Sequence, residues 1–203
     1  ASTPSAQRVL GYDLAGRLLR VSAPGGTQTY TYNDRGAVLT STGPAGPASF
    51  GYDPNGRPTT RTDAAGSARY SYVDGRLSTV ADGATGTVQT IGYDPTGAVR
   101  TIDYGGGRVR TFDRDDLGRY DTDTLRGPGG PVAVMSYGYD LADQLIRRTT
   151  TGLAGAGDST FGYDLAGRLT SWTPPAGPTT TYGWDAAGNR TSVGSRTATF
   201  DAR

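Results

Sequence analysis

Apolar or aromatic residues alternate with hydroxylated or charged ones in short runs, which are separated by segments rich in Gly, Pro and Asp. This period of two predicts β-strands whose successive side chains lie on opposite faces. An aromatic–Asp pair, or an altered form of it, recurs at spacings of 20 to 25 residues, with a last spacing of 16. The pairs begin at Tyr12, Tyr32, Tyr52, Tyr72, Tyr93, Arg114, Tyr139, Tyr163, Trp184 and Phe200. We therefore predict an array of similar units.

A second column of apolar or aromatic residues precedes these pairs by two positions, so both columns lie on one predicted strand face. It consists of Leu10, Tyr30, Phe50, Tyr70, Ile91, Phe112, Tyr137, Phe161, Tyr182 and Ala198. We interpret the aromatic ladder as packing between neighbouring hairpins; a stacking surface for sugars is the alternative. The ladder comprises Tyr12, Tyr30, Tyr32, Phe50, Tyr52, Tyr70, Tyr72, Tyr93, Tyr137, Tyr139, Phe161, Tyr163, Tyr182 and Trp184.

Each aromatic–Asp pair opens a turn of the form Asp-x-x-Gly. This pattern predicts a type I turn closed by a left-handed residue, with the Asp carboxylate accepting from the backbone N–H two positions on. The structural turn motif is carried by Asp13, Gly16, Asp53, Gly56, Asp94, Gly97, Asp164, Gly167, Asp185 and Gly188. These glycines and Gly118 should have positive φ. Asp74-Gly75 predicts a two-residue type I′ turn, and Asp143 replaces a closing Gly.

A second, less regular set of Gly- and Pro-rich turns follows the next strand of each period. The chain is therefore predicted to be an antiparallel up-and-down meander with two strands and two turns per repeat. We expect residues 1–203 to form a single array of about ten repeats, with a flexible lead-in at 1–6 and a truncated last repeat. The two longest repeats predict extended loops near 125–132 and 151–158, and residues 197–200 predict a terminal strand.

Composition narrows the range of functions. All 20 basic residues are Arg and all 19 acidic residues are Asp, so strong helix formers are scarce and a helical bundle is excluded. The 13 Tyr and 30 Thr favour strands instead. A net charge of +1 argues against nucleic-acid binding, and no apolar run predicts membrane insertion by this segment. The chain has no Cys or His, so it lacks the usual ligands of a zinc site and the residue that most often serves as a general base.

The turn motifs strongly resemble the unit of the bacterial RHS/YD-repeat family, as in YDLAGRL at 12–18 and 163–169, YDPNGRP at 52–58 and WDAAGNR at 184–190. The resemblance implies an all-β fold of tandem hairpins in a curved, coiling sheet that is part of a hollow shell. It also implies a secreted or cell-surface location and a structural role, in which the shell encapsulates a toxic C-terminal cargo. A surface adhesion or carbohydrate-binding module is the alternative.

The expected partners are the remaining repeats and the cargo domain of the parent chain, with self-association through unpaired edge strands. Bacterial shells of the family end in a segment that can carry an Asp-based self-cleaving site, and nothing here matches it. Because the turns account for the Asp residues, we expect no enzyme activity. We also expect no cofactor and no metal.

Two charged groups remain as candidates for other roles. The Arg column comprises Arg17, Arg57, Arg76, Arg119 and Arg168; it could bind phosphate, but pairing with turn Asp residues or stacking on neighbouring Tyr rings is the preferred interpretation. Asp113, Asp115, Asp116, Asp121 and Asp123 form the densest acidic group, but they lack the spacing of a calcium loop.

Overall fold

The structure is a computed structural model that describes residues 7–200. The predicted lead-in at 1–6 and Asp201 of the last repeat lie outside the described residues. All regular secondary structure within residues 7–200 is β-strand. No helix long and apolar enough to cross a membrane is found in that part of the chain.

The chain divides into two compact units, Ala1–Ile91 and Gly92–Arg203. The strands of the first unit are β1 (Val9–Tyr12), β2 (Leu18–Ala23), β3 (Gly26–Tyr32), β4 (Val38–Gly43), β5 (Gly46–Tyr52), β6 (Pro58–Asp63), β7 (Gly66–Val73) and β8 (Arg76–Asp82). β9 (Val88–Tyr93) spans the boundary. The second unit contains β10 (Val99–Asp103), β11 (Val109–Arg114), β12 (Tyr120–Gly127), β13 (Gly130–Tyr139), β14 (Leu145–Thr151), β15 (Gly157–Tyr163), β16 (Leu169–Thr173), β17 (Thr180–Trp184), β18 (Arg190–Val193) and β19 (Arg196–Thr197).

Both units are antiparallel meanders. Within the first unit each strand from β1 to β8 pairs with the strand that follows it. The same holds from β10 to β18 in the second unit. These pairings confirm the predicted antiparallel hairpin fold. Consecutive strands lie side by side because short polar turns connect them.

The regular turns have the predicted geometry. The N–H of Gly56 donates to the carbonyl of Asp53 at 2.9 Å, and the N–H of Asp53 donates to the carbonyl of Arg57 at 2.9 Å. Positive φ is found at all six predicted glycines, namely Gly16, Gly56, Gly97, Gly118, Gly167 and Gly188. Asp74 and Gly75 both have positive φ, as a type I′ turn requires, and Asp143 is left-handed at 61°.

A β-bulge follows the turn in most hairpins of both units, a feature that the sequence pattern does not predict. Tyr52 faces Pro58, whereas the preceding residue Gly51 faces Thr60, so Thr59 is an extra residue in its strand. The same shift recurs at the equivalent point of hairpins in both units. Each bulge disrupts the ladder locally and moves the following side chains to the opposite face.

Two expectations about the second unit are wrong. The predicted loop near 125–132 is a tight turn in which Gly127 faces Gly130. The additional residues of this repeat instead lengthen β12 and β13 to 8 and 10 residues. The terminal strand is Arg196–Thr197 and not 197–200. A break in strand structure does occur in the predicted loop at 151–158, between β14 and β15.

Burial is shallow throughout residues 7–200. The residues below one-tenth exposure there are Ala133, Asp123 and Ser159, all in the second unit. Most aromatic residues are half-buried. Neighbouring side chains on the sheet face therefore carry most of the packing.

The turn geometry generates a stability prediction. Gly118 and Gly129 both have open space where a Cβ would lie, but only Gly118 has positive φ, at 79°. Because an L-residue is strained in that region, Gly118→Ala should lower the free energy of unfolding by about 1 kcal/mol. Gly129→Ala is the matched control and should cause no such loss. Urea denaturation followed by circular dichroism measures both, and equal losses would contradict the assigned role of Gly118.

Candidate functional site

The turn carboxylate organises each regular hairpin. Oδ1 of Asp53 accepts from the N–H groups of Asn55 and Arg57, both at 2.9 Å. Its Oδ2 accepts from Nε of Arg57 at 2.7 Å. The same arrangement is found for Asp13 with Arg17, Asp115 with Arg119 and Asp164 with Arg168. The sequence predicts that the Asp accepts from the N–H group two residues later, but it does not predict the bond from the N–H group four residues later.

These bonds lower the pKa of the turn carboxyl groups. For Asp53 the backbone N–H of Arg57 is the largest contribution that lowers the pKa, and the Arg57 side chain adds to it. The pKa values of Asp13, Asp94, Asp115, Asp164 and Asp185 are also lowered. The turn Asp residues are thus held ionised as hydrogen-bond acceptors.

Some repeats lack the Arg and keep the turn. Asn33 accepts from the backbone N–H groups of Arg35 and Ala37. Its amide oxygen replaces the carboxylate in this turn, in which Ala37 stands where other repeats have the pairing Arg. Asp185 accepts from the side chain of Asn189 instead. The backbone bonds are therefore the constant part of the turn, and the ion pair is an addition.

The Arg of one repeat also reaches the next repeat. Cζ of Arg57 lies 4.5 Å from the ring centroid of Tyr72, and Arg17 covers Tyr32 at 5.1 Å. Nη1 of Arg17 donates to the carbonyl of Asn33 at 3.2 Å. In the second unit Arg119 covers Tyr139 and Arg168 covers Trp184, at 4.5 and 5.8 Å. One guanidinium thus pairs with its own turn and covers the aromatic residue of the next, as the preferred interpretation of the Arg column predicts.

A hydroxyl bond completes the connection between repeats. The Tyr52 hydroxyl donates to the carbonyl of Val38 at 2.8 Å, where Val38 directly precedes the extra residue of its bulge. Equivalent bonds join Tyr32 to Leu18, Tyr72 to Pro58, Tyr163 to Leu145 and, through Nε1, Trp184 to Leu169. We name this connection the repeat clasp: it consists of the bond from the aromatic residue to the carbonyl of the preceding repeat, together with the turn Asp and the covering Arg in the repeats that have them.

The aromatic ladder is therefore covered mainly by neighbouring repeats. Its members are half-buried, except Tyr12, which is 56% exposed. The aromatic ring contacts found in residues 7–200 are Phe112–Tyr120 and Tyr120–Tyr137, at centroid distances of 5.8 and 6.3 Å. Guanidinium groups, and not other rings, lie over Tyr32, Tyr72, Tyr139 and Trp184.

The acidic residues at 113–123 do not converge. Asp115 belongs to its turn, and Asp123 pairs with Arg110. Asp113 lies 3.5 Å from Nη2 of Arg100, whereas Asp116 and Asp121 are exposed. Across the described part of the chain, no group of three or more acidic side chains is placed to hold a metal ion.

A glycine column on the strand before each turn accompanies the bulge. Gly precedes the aromatic residue in many repeats, and a Cβ on Gly51 would lie 2.4 Å from Oγ1 of Thr60 on the facing strand. Gly92, Gly162 and Gly183 face Ser or Thr at similar distances. The facing Ser and Thr side chains thus occupy the space above these glycines. This pairing across strands cannot be read from the spacing within one strand.

The repeat clasp predicts an effect of removing one hydroxyl. Tyr52→Phe removes the donor to the Val38 carbonyl but keeps the ring, and should lower the free energy of unfolding by about 1 kcal/mol. Tyr30→Phe is the control, because Tyr30 lies in the other aromatic column and its hydroxyl forms no hydrogen bond within residues 7–200. Urea denaturation of both variants measures the difference, and equal values would refute the clasp bond.

The lowered pKa values predict acid sensitivity. A carboxyl group whose pKa is below its ordinary value of 3.8 in the folded chain stabilises the fold above that value. The stabilisation is lost as the pH falls from about 4 through the lower folded pKa. Asp53→Asn keeps the backbone bonds, as Asn33 shows, but should reduce the loss of stability between neutral pH and pH 3.

Asp34→Asn is the matched control, since Asp34 is exposed in an equivalent turn. Stability measured as a function of pH should change its slope for Asp53→Asn and keep it for Asp34→Asn. An unchanged slope in both variants would show that the turn carboxylate of Asp53 does not contribute to acid unfolding.

Solved structures share this fold. The crystal structure of TcdB2-TccC3-Cdc42 superposes with a TM-score of 0.73 at 18% identity, over 95% of this chain and 13% of that chain. The Tc holotoxin pore of Photorhabdus luminescens, with a TccC3 mutation, gives 0.72 at 18% identity over the same shares. The chain thus spans about 13% of the length of these structures. No curated protein matches it.

The sequence model of the RHS repeat matches three segments, residues 12–48, 52–88 and 163–199, which together make up more than half of the chain. Each segment begins at an aromatic–Asp pair that opens a regular turn. The hairpins, turns and clasps described above are thus the structural form of these repeats. The chain belongs to the RHS repeat family, also called YD repeats.

Proposed function

We propose that the chain is a section of wall in a β-shell that encloses a polypeptide cargo in a secreted or cell-surface toxin. The family and the fold support a structural repeat module. Because the chain spans only about 13% of the TcdB2-TccC3 chain that it resembles, it would supply one section of such a wall. The remaining repeats and the cargo would belong to the same parent polypeptide.

The observation that carries this proposal is that the same hydroxyl bond between neighbouring repeats recurs within both units. Tyr32, Tyr52 and Tyr72 each donate to a carbonyl of the preceding repeat. A sheet held by contacts between neighbours extends by adding repeats, without needing a central core. This property suits a wall, whose size must match what it encloses.

The turn carboxylates are poorly suited to catalysis. Oδ1 of Asp164 accepts two backbone N–H groups, and its Oδ2 accepts from Arg168. A general acid near neutral pH needs a raised pKa, whereas the pKa of Asp164 is lowered. We therefore propose a non-catalytic role for these residues, with no cofactor and no metal.

A sugar-binding ladder is less favoured by the same contacts. Stacking on a sugar needs an open aromatic face, but guanidinium groups cover the rings of Tyr72 and Tyr139 at 4.5 Å. The hydroxyl of Tyr72 also donates to the Pro58 carbonyl of the preceding repeat. The rings used in this way have little free surface for a sugar.

The proposal is tested on the full-length polypeptide that contains this chain. Under native conditions, proteinase K should leave the segment beyond the repeats intact, whereas an isolated copy of that segment should be digested rapidly. Partial unfolding of the repeats by urea should expose it. A variant with Tyr32→Phe, Tyr52→Phe and Tyr72→Phe should expose it at lower urea concentration, while Tyr30→Phe should not. Native digestion as fast as that of the isolated segment would contradict encapsulation.

A further inference from the structure

The second unit contains a row of polar side chains that the clasp does not use. Tyr137, Arg148 and Ser159 face one another directly on β13, β14 and β15, so their side chains leave the sheet on the same side. This is the aromatic side, because Tyr137 and Phe161 belong to the aromatic columns. We name these three residues the Arg148 cluster.

The Arg148 cluster holds hydrogen-bond donors without acceptors. Ser159 is 1% exposed, and its Oγ is buried with no partner among the described residues. Nε of Arg148 is likewise buried and unpartnered there. A buried donor without an acceptor is unfavourable, and here the burial concerns the Nε of Arg148, since the side chain as a whole is half-buried. The cluster therefore presents two donors from which no described residue accepts.

The buried acidic side chain on this face already has a partner. Asp123 faces Met135, which lies two residues before Tyr137 on the same strand, and the Asp123 side chain is 5% exposed. Both of its oxygens accept from Arg110, with Nε at 2.8 Å and Nη2 at 2.5 Å. Arg148 has no ion-pair partner among residues 7–200.

The Tyr137 hydroxyl adds another donor. It contacts only the sulfur of Met135, at 3.9 Å, which is a weak acceptor. Burial is the main reason that the pKa of Tyr137 is raised, and the charge of Asp123 raises it further. The hydroxyl therefore remains protonated at neutral pH and available to donate.

An apolar cavity of about 400 Å³ adjoins the cluster. Tyr104, Leu125, Ala133, Met135 and Leu153 line it, together with Arg108 and the Arg110–Asp123 pair. Met135 separates this cavity from the Tyr137 hydroxyl. Unneutralised donors thus lie beside space suited to an apolar side chain.

We propose that this site binds an acidic residue flanked by an apolar residue, in an extended segment of the polypeptide that the shell encloses. The inference rests on the proposed function. The carboxylate accepts from Arg148 and Tyr137, and Arg148 turns its guanidinium onto it, which opens Ser159 Oγ to the same anion. The apolar residue occupies the cavity beside Met135. A carboxylate fits because a guanidinium can bind its two oxygens together.

The test uses the 203-residue chain and two peptides that differ only in charge, acetyl-Leu-Glu-Leu-amide and acetyl-Leu-Gln-Leu-amide. The Nε–Hε signal of Arg148 is followed by ¹⁵N nuclear magnetic resonance during titration. The Glu peptide should shift it saturably, with an affinity about tenfold or more above that of the Gln peptide. Equal affinities, or no saturable shift with the Glu peptide, would overturn the proposal.

Variants test which residues are responsible. Arg148→Met should abolish the preference for the Glu peptide, whereas Arg147→Met should keep it, since Arg147 lies on the opposite face and pairs with Asp158. Ser159→Ala should weaken binding of the Glu peptide while leaving the unfolding midpoint unchanged or higher, because it removes a buried unpartnered hydroxyl. A purely structural Ser159 would change stability without changing affinity, which would remove it from the site.

The two proposals fail in different ways. Loss of peptide discrimination with the downstream segment still protected from proteinase K would contradict this site alone. Rapid native digestion of that segment would contradict encapsulation, whatever the peptides do. Circular dichroism is recorded for Arg148→Met to establish that the second unit is still folded. Tyr137→Phe removes one donor but retains the ring. It should lower the affinity for the Glu peptide without loss of fold.

Discussion

The bond between a turn carboxylate and its own backbone is the interaction on which the rest of the structure depends. In the turn opened by Asp53, one oxygen holds two N–H groups and the other holds Arg57. This fixes the hairpin and also sets the direction of the guanidinium, which then lies over Tyr72. A local turn thus determines a contact with the following repeat, and the same contact recurs where Arg17, Arg119 and Arg168 cover Tyr32, Tyr139 and Trp184.

The repeat clasp explains a composition that would otherwise seem too polar for an ordered chain. A meander with shallow burial cannot rely on a large apolar core, and within residues 7–200 Ala133 is the one apolar residue that is almost fully buried. Tyr and Arg replace the missing apolar side chains, since each combines a flat packing surface with hydrogen-bond donors. The bulges supply the acceptors, such as the Val38 carbonyl that receives the Tyr52 hydroxyl.

The second unit departs from the regular repeat. Arg114 stands where other repeats have an aromatic residue, and its Cζ lies 4.2 Å from the ring centroid of Tyr120. The longest strand of the described chain, β13 with 10 residues, is also here. The nearly fully buried Asp123 pairs with Arg110, whereas Arg148 has no ion-pair partner within residues 7–200. Regular repeats are suited to building a wall, and a specific binding site is expected where the pattern changes.

The sequence by itself determined the strand class, the hairpin order and the turn geometry, because these depend on period-two patterning and on residues such as Asp53 and Gly56 only a few positions apart. It also predicted that Arg would pair with Asp or cover Tyr. Only the tertiary structure decided the bulges, the hydroxyl bond from Tyr52 and the unpartnered Arg148. Those features depend on which residues face each other across strands, and a one-residue change of register moves a side chain to the other face.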